Sequence, residues 1–392
     1  MKFRITPING GVCAVEGIYA SGVNAGFKKE GFDLGFIRSE EEMDVVYTFT
    51  TNKFQAAPIK YVLNNNIKKT NFILANSKNA NALTGIKGIQ DIEEILKFLN
   101  EKIEVKNPIM SSTGVIGVRM DKEKIKEGIK KFDFNEKNSD KFAKSIMTTD
   151  SFKKEVAFEV EGEFGKFKIG GVAKGAGMIN PAMATMLCFI TTDANIPSDE
   201  MDEVLKENLE ESFNAISVDG DTSTNDSVFL MSTKKGGYDK EAFREALKKL
   251  MQKLSLDIVK DGEGATKAVA FVVSGAKNTK EAKKVAKAFS NSLLVKTAIF
   301  GEDPNWGRIA STVGASGVEC NENTLKISFE NVVVYNKGEI LFDEENEKKA
   351  HNIMKKDEFK IYVDLGIGDG KFTAYGCDLS YDYVKINAEY RT

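Results

Sequence analysis

Segments with helical periodicity alternate with strand-like segments along the whole chain of 392 residues, and this alternation constrains the fold more than any other feature. Apolar residues recur at helical spacing in residues 89–103, 120–132, 197–213, 238–254 and 278–294. Strand-like runs occupy residues 44–49, 70–74, 156–160, 166–172, 268–273, 325–329, 332–335 and 358–365. We therefore predict an α/β or α+β fold, in which Asp121 and Ser198 begin helices as capping residues.

Charge and cysteine content argue against several classes of protein. Lys and Arg number 55 against 58 Asp and Glu, so a net charge of −3 does not favour a nucleic-acid partner. No apolar run reaches the roughly 20 residues of a membrane span, and the first residues lack a signal-peptide stretch. We expect a cytoplasmic protein without a membrane partner. The four cysteines lie far apart without CxxC spacing, so neither disulfides nor a zinc site are expected.

The single histidine limits the available chemistry. A Ser-His-Asp or Cys-His mechanism would have to use His351, and a cluster of histidine metal ligands is excluded. His351 lies inside the charged stretch 344–356, which predicts a helix-surface residue. An enzyme with this sequence would therefore use a base other than histidine, and we expect no metal.

Residues 170–194, GGVAKGAGMINPAMATMLCFITTDA, form the most unusual segment. Glycine and alanine fill six of its first eight positions, but the segment fits neither glycine-rich phosphate-loop pattern. One interpretation is a glycine-rich turn before a buried strand. The other is a precursor in which Ala184-Thr185-Met186 is cut, so that the new α-amine of Thr185 activates its own hydroxyl. Spacing alone leaves both open.

The segment KGAGMINPAMATML at residues 174–187 resembles the signature of the ornithine acetyltransferase family, the glutamate N-acetyltransferases of arginine biosynthesis. Further similar stretches follow in family order over the whole chain: TTN and AAP within 50–58, NANALTG at 79–85, SSTGVIG at 111–117, MTTDSF at 147–152, DGDTSTNDS at 219–227, DGEGATK at 261–267, FGEDPNWGRI at 300–309 and YVKINAEYRT at 383–392. One departure is Lys78, where the family usually has glycine; because this loop does not hold the nucleophile, we expect the departure to matter little.

The resemblance implies a self-cleaving enzyme. The cut falls between Ala184 and Thr185 and yields an α chain, residues 1–184, and a β chain, residues 185–392, which assemble as α2β2. Thr185 then acts as the nucleophile and carries the acetyl group from N2-acetyl-L-ornithine to L-glutamate in a ping-pong reaction. Thr113 and Gly114 form the oxyanion hole. The residues implied in substrate binding are Thr148, Lys174, Thr185, Glu263, Asn387 and Thr392.

The same resemblance implies the fold and the partners. Two sheets lie between helix layers, similar to self-processing aminopeptidases, with a main α/β domain at residues 1–275 and a smaller C-terminal α/β domain at 276–392. No cofactor is expected; acetyl-CoA is left open as a further acetyl donor. Two alternatives remain: a hydrolase with an N-terminal nucleophile, in which water accepts the acyl group, and a non-catalytic amino-acid-binding protein.

Overall fold

The computed structural model describes residues 2–180 and 186–390. The chain forms two compact units: unit 1 comprises Met1–Gly175, Pro181–Asn214 and Thr222–Ile258, and unit 2 comprises Ala176–Asn180, Ala215–Asp221 and Val259–Thr392. The domain division predicted at residues 275/276 stays a prediction, although it falls inside a strand, Ala268–Ala276.

Helices and strands are mixed in both units, so the predicted α/β class is confirmed. The strands are β1 Phe3–Ile8, β2 Ile18–Val23, β3 Leu34–Phe49, β4 Lys69–Asn76, β5 Ile109–Ser112, β6 Lys154–Gly162, β7 Gly165–Lys174, β8 Leu187–Thr192, β9 Ile216–Ser217, β10 Ser227–Ser232, β11 Ala268–Ala276, β12 Lys326–Phe329, β13 Val332–Asn336, β14 Glu339–Ile340, β15 Glu358–Asp364 and β16 Gly370–Cys377. The helices are α1 Ala57–Asn64, α2 Gly85–Asn100, α3 Lys122–Ile129, α4 Ser139–Ser145, α5 Ser198–Leu209, α6 Lys240–Lys260, α7 Thr279–Asn291, α8 Leu293–Phe300, α9 Trp306–Ala315, α10 Glu344–Met354 and α11 Tyr381–Ala388.

Unit 1 is built on a nine-stranded sheet in the order β1-β6-β7-β8-β10-β3-β4-β5, with β2 also paired to β3. Successive side chains of a strand point to opposite faces. Phe36 of β3 packs in a cluster with apolar residues of α2 and α3, whereas its neighbour Ile37 packs in a cluster with those of α4. Both side chains are fully buried. The sheet is therefore covered on both faces at β3.

Unit 2 contains a seven-stranded sheet in the order β14-β13-β12-β15-β11-β16-β9. In its core, Phe271 of β11 packs against Phe289 of α7, with ring centroids 5.7 Å apart. Strand β15 alternates exposed and buried residues along its whole length, as expected for a sheet with one face packed and one face in solvent. The core of unit 2 thus lies on one side of its sheet.

Local capping signals were only partly predictive. The N-cap at Asp121 is confirmed, because its side chain accepts from the backbone N–H of Lys124. The cap predicted at Ser198 is wrong: Pro197 occupies the N-cap position of α5, and the Ser198 hydroxyl donates to Asp44 Oδ2 over 2.5 Å. A nearby carboxylate thus outcompetes the helix end for that hydroxyl.

Two further sequence-based expectations concern a long helix and the membrane. The helix predicted over residues 278–294 breaks at Ser292, whose side chain caps the next helix, α8. His351 lies on α10 as predicted, but it is half-buried and its Nδ1 is 2.7 Å from the carbonyl oxygen of Glu302.

No helix in the described part of the chain is long and apolar enough to cross a membrane.

Candidate active site

The loop after β5 holds the two residues expected to form an oxyanion hole. Thr113 is tied to the end of β4, because its backbone N–H donates to the carbonyl of Asn76 over 3.0 Å. Gly114 has a φ of +133°, and a Cβ at this position would overlap the backbone of Lys78 and Asn79. Only glycine fits both the positive φ and this close approach. The loop backbone is therefore fixed by packing as well as by hydrogen bonds.

Lys78, the one departure from the family pattern, lies in a backbone conformation that favours glycine. Its φ is +73°, in the left-handed region where a side chain is strained and glycine is favoured. Its carbonyl accepts the N–H of Val115 over 3.3 Å, directly after Gly114. The departure, which we expected to matter little, thus lies against the loop of Thr113 and Gly114, and the chain accommodates a lysine there at some conformational cost.

A buried asparagine in the segment before β10 braces this loop. Asn225 Nδ2 donates to the carbonyl of Ser112 over 2.8 Å and to that of Ala80 over 2.6 Å. The Ser112 hydroxyl in turn donates to Asn76 Oδ1 over 2.7 Å. A buried amide with satisfied donors holds its partners in one geometry. Asn225 therefore fixes the residue that precedes Thr113.

Lys174 brings a cation to the same loop. It is the last residue of β7 and only 8% exposed, although lysine is a residue type that is rarely buried without a partner. Its Nζ donates to Thr113 Oγ1 over 3.3 Å. The structure therefore places two of the residues named from the sequence, Thr113 and Lys174, in direct contact.

A buried carboxylate follows Thr148. Asp150 Oδ2 accepts the Thr148 N–H over 2.9 Å, and Oδ1 accepts the Gly175 N–H over 2.7 Å and Lys154 Nζ over 2.8 Å. Burial by itself would raise the pKa of Asp150, but the charges of Lys174 and Lys154 hold that pKa at about 2. Asp150 is therefore an ionised anchor that links Thr148 to the end of β7.

A second buried carboxyl behaves in the opposite way. Asp226 is 2% exposed and directly precedes β10. Burial raises its pKa well above the usual value, and the opposing hydrogen bond from Ser223 and the charge of Lys174 do not reverse the shift. Among residues 2–180 and 186–390, no group donates to or accepts from Asp226 Oδ2. Burial therefore disfavours the charged form of the Asp226 carboxyl group.

In unit 2, Glu263 and Asn387 form a separate polar pair. Asn387 Nδ2 donates to Glu263 Oε2 over 2.8 Å, and the Glu263 N–H donates to the carbonyl of Ala176 over 2.9 Å. A Cβ on Gly177 would overlap the Glu263 carboxyl group, so this glycine makes room for the acid. Glu263 is only 8% exposed. Two residues named from the sequence are thus also brought together here.

Asp219 accepts hydrogen bonds from two segments of unit 2 that adjoin the Glu263 and Asn387 pair. Its carboxylate accepts the N–H groups of Met178 over 2.5 Å and Ile179 over 2.8 Å. The hydroxyl of Tyr383, on α11, reaches the same carboxylate over 3.3 Å. Asp219 therefore connects the segment that follows Gly177 to the helix that carries Asn387.

The residues predicted from the sequence divide into three sets. Unit 1 holds Thr113, Gly114, Thr148 and Lys174; unit 2 holds Glu263 and Asn387; and Ala184, Thr185 and Thr392 lie outside the described residues. Sequence reasoning missed Asp150, Asn225, Asp226, Asp219 and Tyr383 as site residues, although all five lie within the motifs that were quoted. Within the described ranges, no group of three His, Cys, Asp or Glu side chains is arranged to hold a metal ion.

The ends of the strands in unit 1 hold a glycine that allows close approach, a threonine hydroxyl, a buried ammonium group and two buried carboxyl groups. Polar groups that converge in this way at strand ends are typical of sites in α/β enzymes. The family is more specific: a model of the ArgJ family matches residues 19–392. The chain therefore belongs to the ArgJ family.

Two relatives that match over nearly their full length agree with this assignment. The arginine biosynthesis bifunctional protein ArgJ of Wolinella succinogenes is 58% identical, with 100% of each chain covered. The glutamate N-acetyltransferase of Methanocaldococcus jannaschii is 46% identical over 98% of this chain and 99% of that protein. Among solved structures, the ornithine acetyltransferase of Mycobacterium tuberculosis complexed with ornithine is 30% identical, with a TM-score of 0.42 over 46% of this chain and 100% of that one.

Proposed function

We propose that the chain is an acetyltransferase of arginine biosynthesis that moves the acetyl group from N2-acetyl-L-ornithine to L-glutamate after cutting itself before Thr185. The relatives in Wolinella and Methanocaldococcus, an arginine biosynthesis bifunctional protein and a glutamate N-acetyltransferase, support this assignment, since both match over nearly their full length. The sequence motifs around Thr113 and Lys174 support it independently.

Self-cleavage prepares the nucleophile. The Thr185 hydroxyl attacks the Ala184 carbonyl carbon, the peptide C–N bond breaks, and an ester forms between the two residues. This step frees the α-amine of Thr185, and water then hydrolyses the ester, which frees the Thr185 hydroxyl and leaves a carboxylate on Ala184. This amine has an ordinary pKa of about 7.7–8.0, so a useful fraction is unprotonated near neutral pH. It can therefore serve as the base for its own hydroxyl.

Acetyl transfer proceeds in two half-reactions. The Thr185 hydroxyl loses its proton to its own α-amine and attacks the acetyl carbonyl of the donor. The Thr113 hydroxyl and the Gly114 N–H stabilise the tetrahedral oxyanion. The C–N bond then breaks, the proton passes to the departing ornithine amine, and the acetyl group stays on Thr185 as an ester. The amine of glutamate attacks this ester and regenerates the free hydroxyl.

Both amino acids carry an α-carboxylate, so one set of contacts serves both in turn. Lys174 binds that carboxylate through its ammonium group. Glu263 binds the side-chain amine of ornithine, and the remaining contacts are neutral hydrogen bonds from Thr148, Asn387 and Thr392. The two chains pair as α2β2, and acetyl-CoA is a second candidate donor for the same acetyl-threonine.

The contact between Lys174 and Thr113 carries the proposal, because it joins a carboxylate-binding cation to an oxyanion-hole residue. The test is glutamate-dependent consumption of N-acetylornithine by the purified protein. Consumption without glutamate would instead identify a hydrolase.

A matched pair of lysine variants sharpens this assay. Lys174→Met removes the buried cation and should raise KM for both amino acids by tenfold or more, since hydrogen bonds to charged groups are among the strong ones. Lys166→Met, on the same strand but with an exposed ion pair to Glu161, should behave as wild type. Equal behaviour of the two variants would contradict the assigned role.

A further inference from the structure

The segment that follows β4 lies directly against the loop that holds Gly114. Asn79 forms isolated β-bridges with Thr113 and Val115 of that loop. The carbonyl of Lys78 accepts the Val115 N–H over 3.3 Å. The Cα of Lys78 is 2.6 Å from the position that a Cβ on Gly114 would take. The Lys78 side chain therefore begins next to the N–H group that is assigned to the oxyanion.

The ammonium group of Lys78 is accessible to a ligand. Lys78 is exposed, and among residues 2–180 and 186–390 no group forms an ion pair or a hydrogen bond with its side chain. A lysine side chain is a flexible four-carbon stem that carries a compact positive charge. This charge can therefore meet an anionic group of a ligand that is held at Gly114.

The backbone of Lys78 is strained at this position. Its φ of +73° lies in the left-handed region, which costs free energy for a residue that has a Cβ. Residues held in such conformations cluster at active sites and ligand clamps. A charged side chain thus occupies a position beside the oxyanion loop that the backbone would leave to glycine.

The charge of Lys78 acts in the same region of unit 1 as that of Lys174. Burial lowers the pKa of the half-buried Lys28 to about 8. The charges of Asp33 and Asp150 oppose this shift, whereas those of Lys78 and Lys174 add to it. Both ammonium groups therefore lie close enough to Lys28 to affect it, and a ligand bound there meets more than one cation.

The two amino acids of the proposed reaction carry opposite charges on their side chains. Ornithine ends in an ammonium group, which Glu263 binds in that proposal. Glutamate ends in a second carboxylate, which the carboxylate of Glu263 would repel. Lys174 is already assigned to the α-carboxylate that both amino acids share. The second carboxylate of glutamate therefore needs another cation.

We propose that Lys78 is a further specificity-determining residue, whose ammonium group binds the side-chain carboxylate of glutamate. The inference rests on the proposed function, because that function supplies glutamate as the acceptor. Glutamine has the same length as glutamate but ends in a neutral amide, so it gains no ion pair from Lys78. N-acetylornithine ends in a cation and gains none either. Lys78 thus favours glutamate over glutamine as the acetyl acceptor.

The test compares glutamate with glutamine as acceptors of the acetyl group from N-acetylornithine. Lys78→Met removes the charge but keeps a long side chain. Its KM for glutamate should rise about fivefold, the size expected for an exposed ion pair, while KM for glutamine and for N-acetylornithine should stay within about twofold. Lys78→Arg keeps the charge and should retain the wild-type ratio of kcat/KM for the two acceptors.

Lys78→Gly separates charge from backbone strain. This variant relieves the left-handed conformation and also removes the charge. It should therefore lose the preference for glutamate by the same factor as Lys78→Met. A KM for glutamate that stays at the wild-type value in either variant would overturn the proposal.

Lys337→Met is the matched control. Lys337 is also exposed, has a φ of +51° and forms no ion pair with the part of the chain that the structure describes. Its backbone N–H donates to the carbonyl of Leu325 in unit 2, whereas the backbone of Lys78 bonds to the loop of Gly114. The control should behave as wild type with both acceptors. An equal rise of KM for glutamate in Lys337→Met would refute the role of Lys78.

Ionic strength provides a readout that a purely structural role would not move. The Debye length falls from about 10 Å at 0.1 M salt to about 3 Å at 1 M, so an exposed ion pair weakens. The preference of wild type for glutamate should therefore fall towards that of Lys78→Met at high salt. The preference of Lys78→Met itself should change less, and equal salt dependence of the two proteins would contradict the proposal.

Failure of the proposed function can be told apart from failure of this inference. If wild type consumes no N-acetylornithine with either acceptor, the proposed function fails. Calorimetric titration of wild type and Lys78→Met with glutamate and with glutamine then decides the role of Lys78. Wild type should bind glutamate about fivefold more tightly than the variant does. Equal affinities for glutamate, or no binding of glutamate by wild type, would refute the inference.

Discussion

The ammonium of Lys174 donates to the hydroxyl oxygen of Thr113 across 3.3 Å. These residues lie on different strand ends and belong to two motifs that are 61 positions apart in the sequence. A cation at this hydroxyl oxygen leaves the Thr113 proton directed elsewhere, since a hydroxyl can accept and donate at once. The contact therefore suits a residue that must donate to a developing oxyanion.

Substitution of Gly114 should damage activity more than any other change in its loop. A Cβ in Gly114→Ala would overlap the backbone of Lys78 and displace the N–H that is assigned to the oxyanion, so kcat should fall about 10²-fold or more. Gly117→Ala is the matched control: it has a positive φ of +82° but nothing within 4 Å of the added carbon. Steady-state kinetics of both variants test this, and equal losses would mean that strain alone matters.

Replacement of Lys78 by glycine should stabilise the protein. The left-handed backbone of Lys78 costs about 1 kcal/mol that glycine would not incur. For a chain of this length, a gain of that size raises the thermal midpoint by about 2 °C. Lys60→Gly, in the exposed part of α1, should lower the midpoint by a similar amount. A fall in both variants would contradict the strain argument.

The buried ion pair of Asp150 and Lys154 should make the free energy of unfolding depend on pH in the acid range. Because the folded pKa of Asp150 is about 2 and the unfolded one about 3.9, its contribution is complete above the unfolded value and is lost as pH falls through 2. Asp150→Asn should cost about 3 kcal/mol at neutral pH, and the difference from wild type should shrink in acid. Urea unfolding against pH measures this.

Asp140 provides the comparison for that experiment. Its carboxylate pairs with Lys144 and Lys153 on the surface, where solvent screens the charges. Asp140→Asn should therefore cost less than about 1 kcal/mol at neutral pH. A larger cost for Asp140→Asn than for Asp150→Asn would contradict the importance of burial.

Removal of Glu263 should separate the two substrates. If its carboxylate binds the side-chain amine of ornithine, Glu263→Ala raises KM for N-acetylornithine at least tenfold and changes KM for glutamate less. Asn387→Ala, which removes the donor to Glu263 Oε2, should show the same preference more weakly. Determination of both KM values for each variant checks this, and equal effects on the two substrates would refute the assigned role.

Periodicity predicted most elements because burial imposes it. The run at residues 70–74 lies inside β4, and that at 358–365 covers β15, where exposed and buried residues alternate. Side-chain hydrogen bonds decided the exceptions. Ser198 bonds to Asp44 and not to its helix end, and Ser292 caps a new helix inside a continuous apolar pattern. Such choices depend on partners that are distant in sequence.

The site residues that lie in recognisable family motifs could be predicted from the sequence. Thr113, Lys174, Glu263 and Asn387 were named from the resemblance, and the structure brings them together as two contacting pairs. The contrasting carboxyls could not be predicted in the same way. Asp150 and Asp226 are the same residue type in similar polar motifs, and only the lysines and the burial around each carboxyl decide whether its pKa falls or rises.

The mass of the purified chain tests the central claim most directly. Wild type should give two species, residues 1–184 and 185–392, whose masses sum to the intact 43.2 kDa plus one water. Thr185→Ala should give one species of full length. A wild-type protein that stays intact after long incubation would contradict the threonine mechanism and favour an uncleaved amino-acid-binding protein.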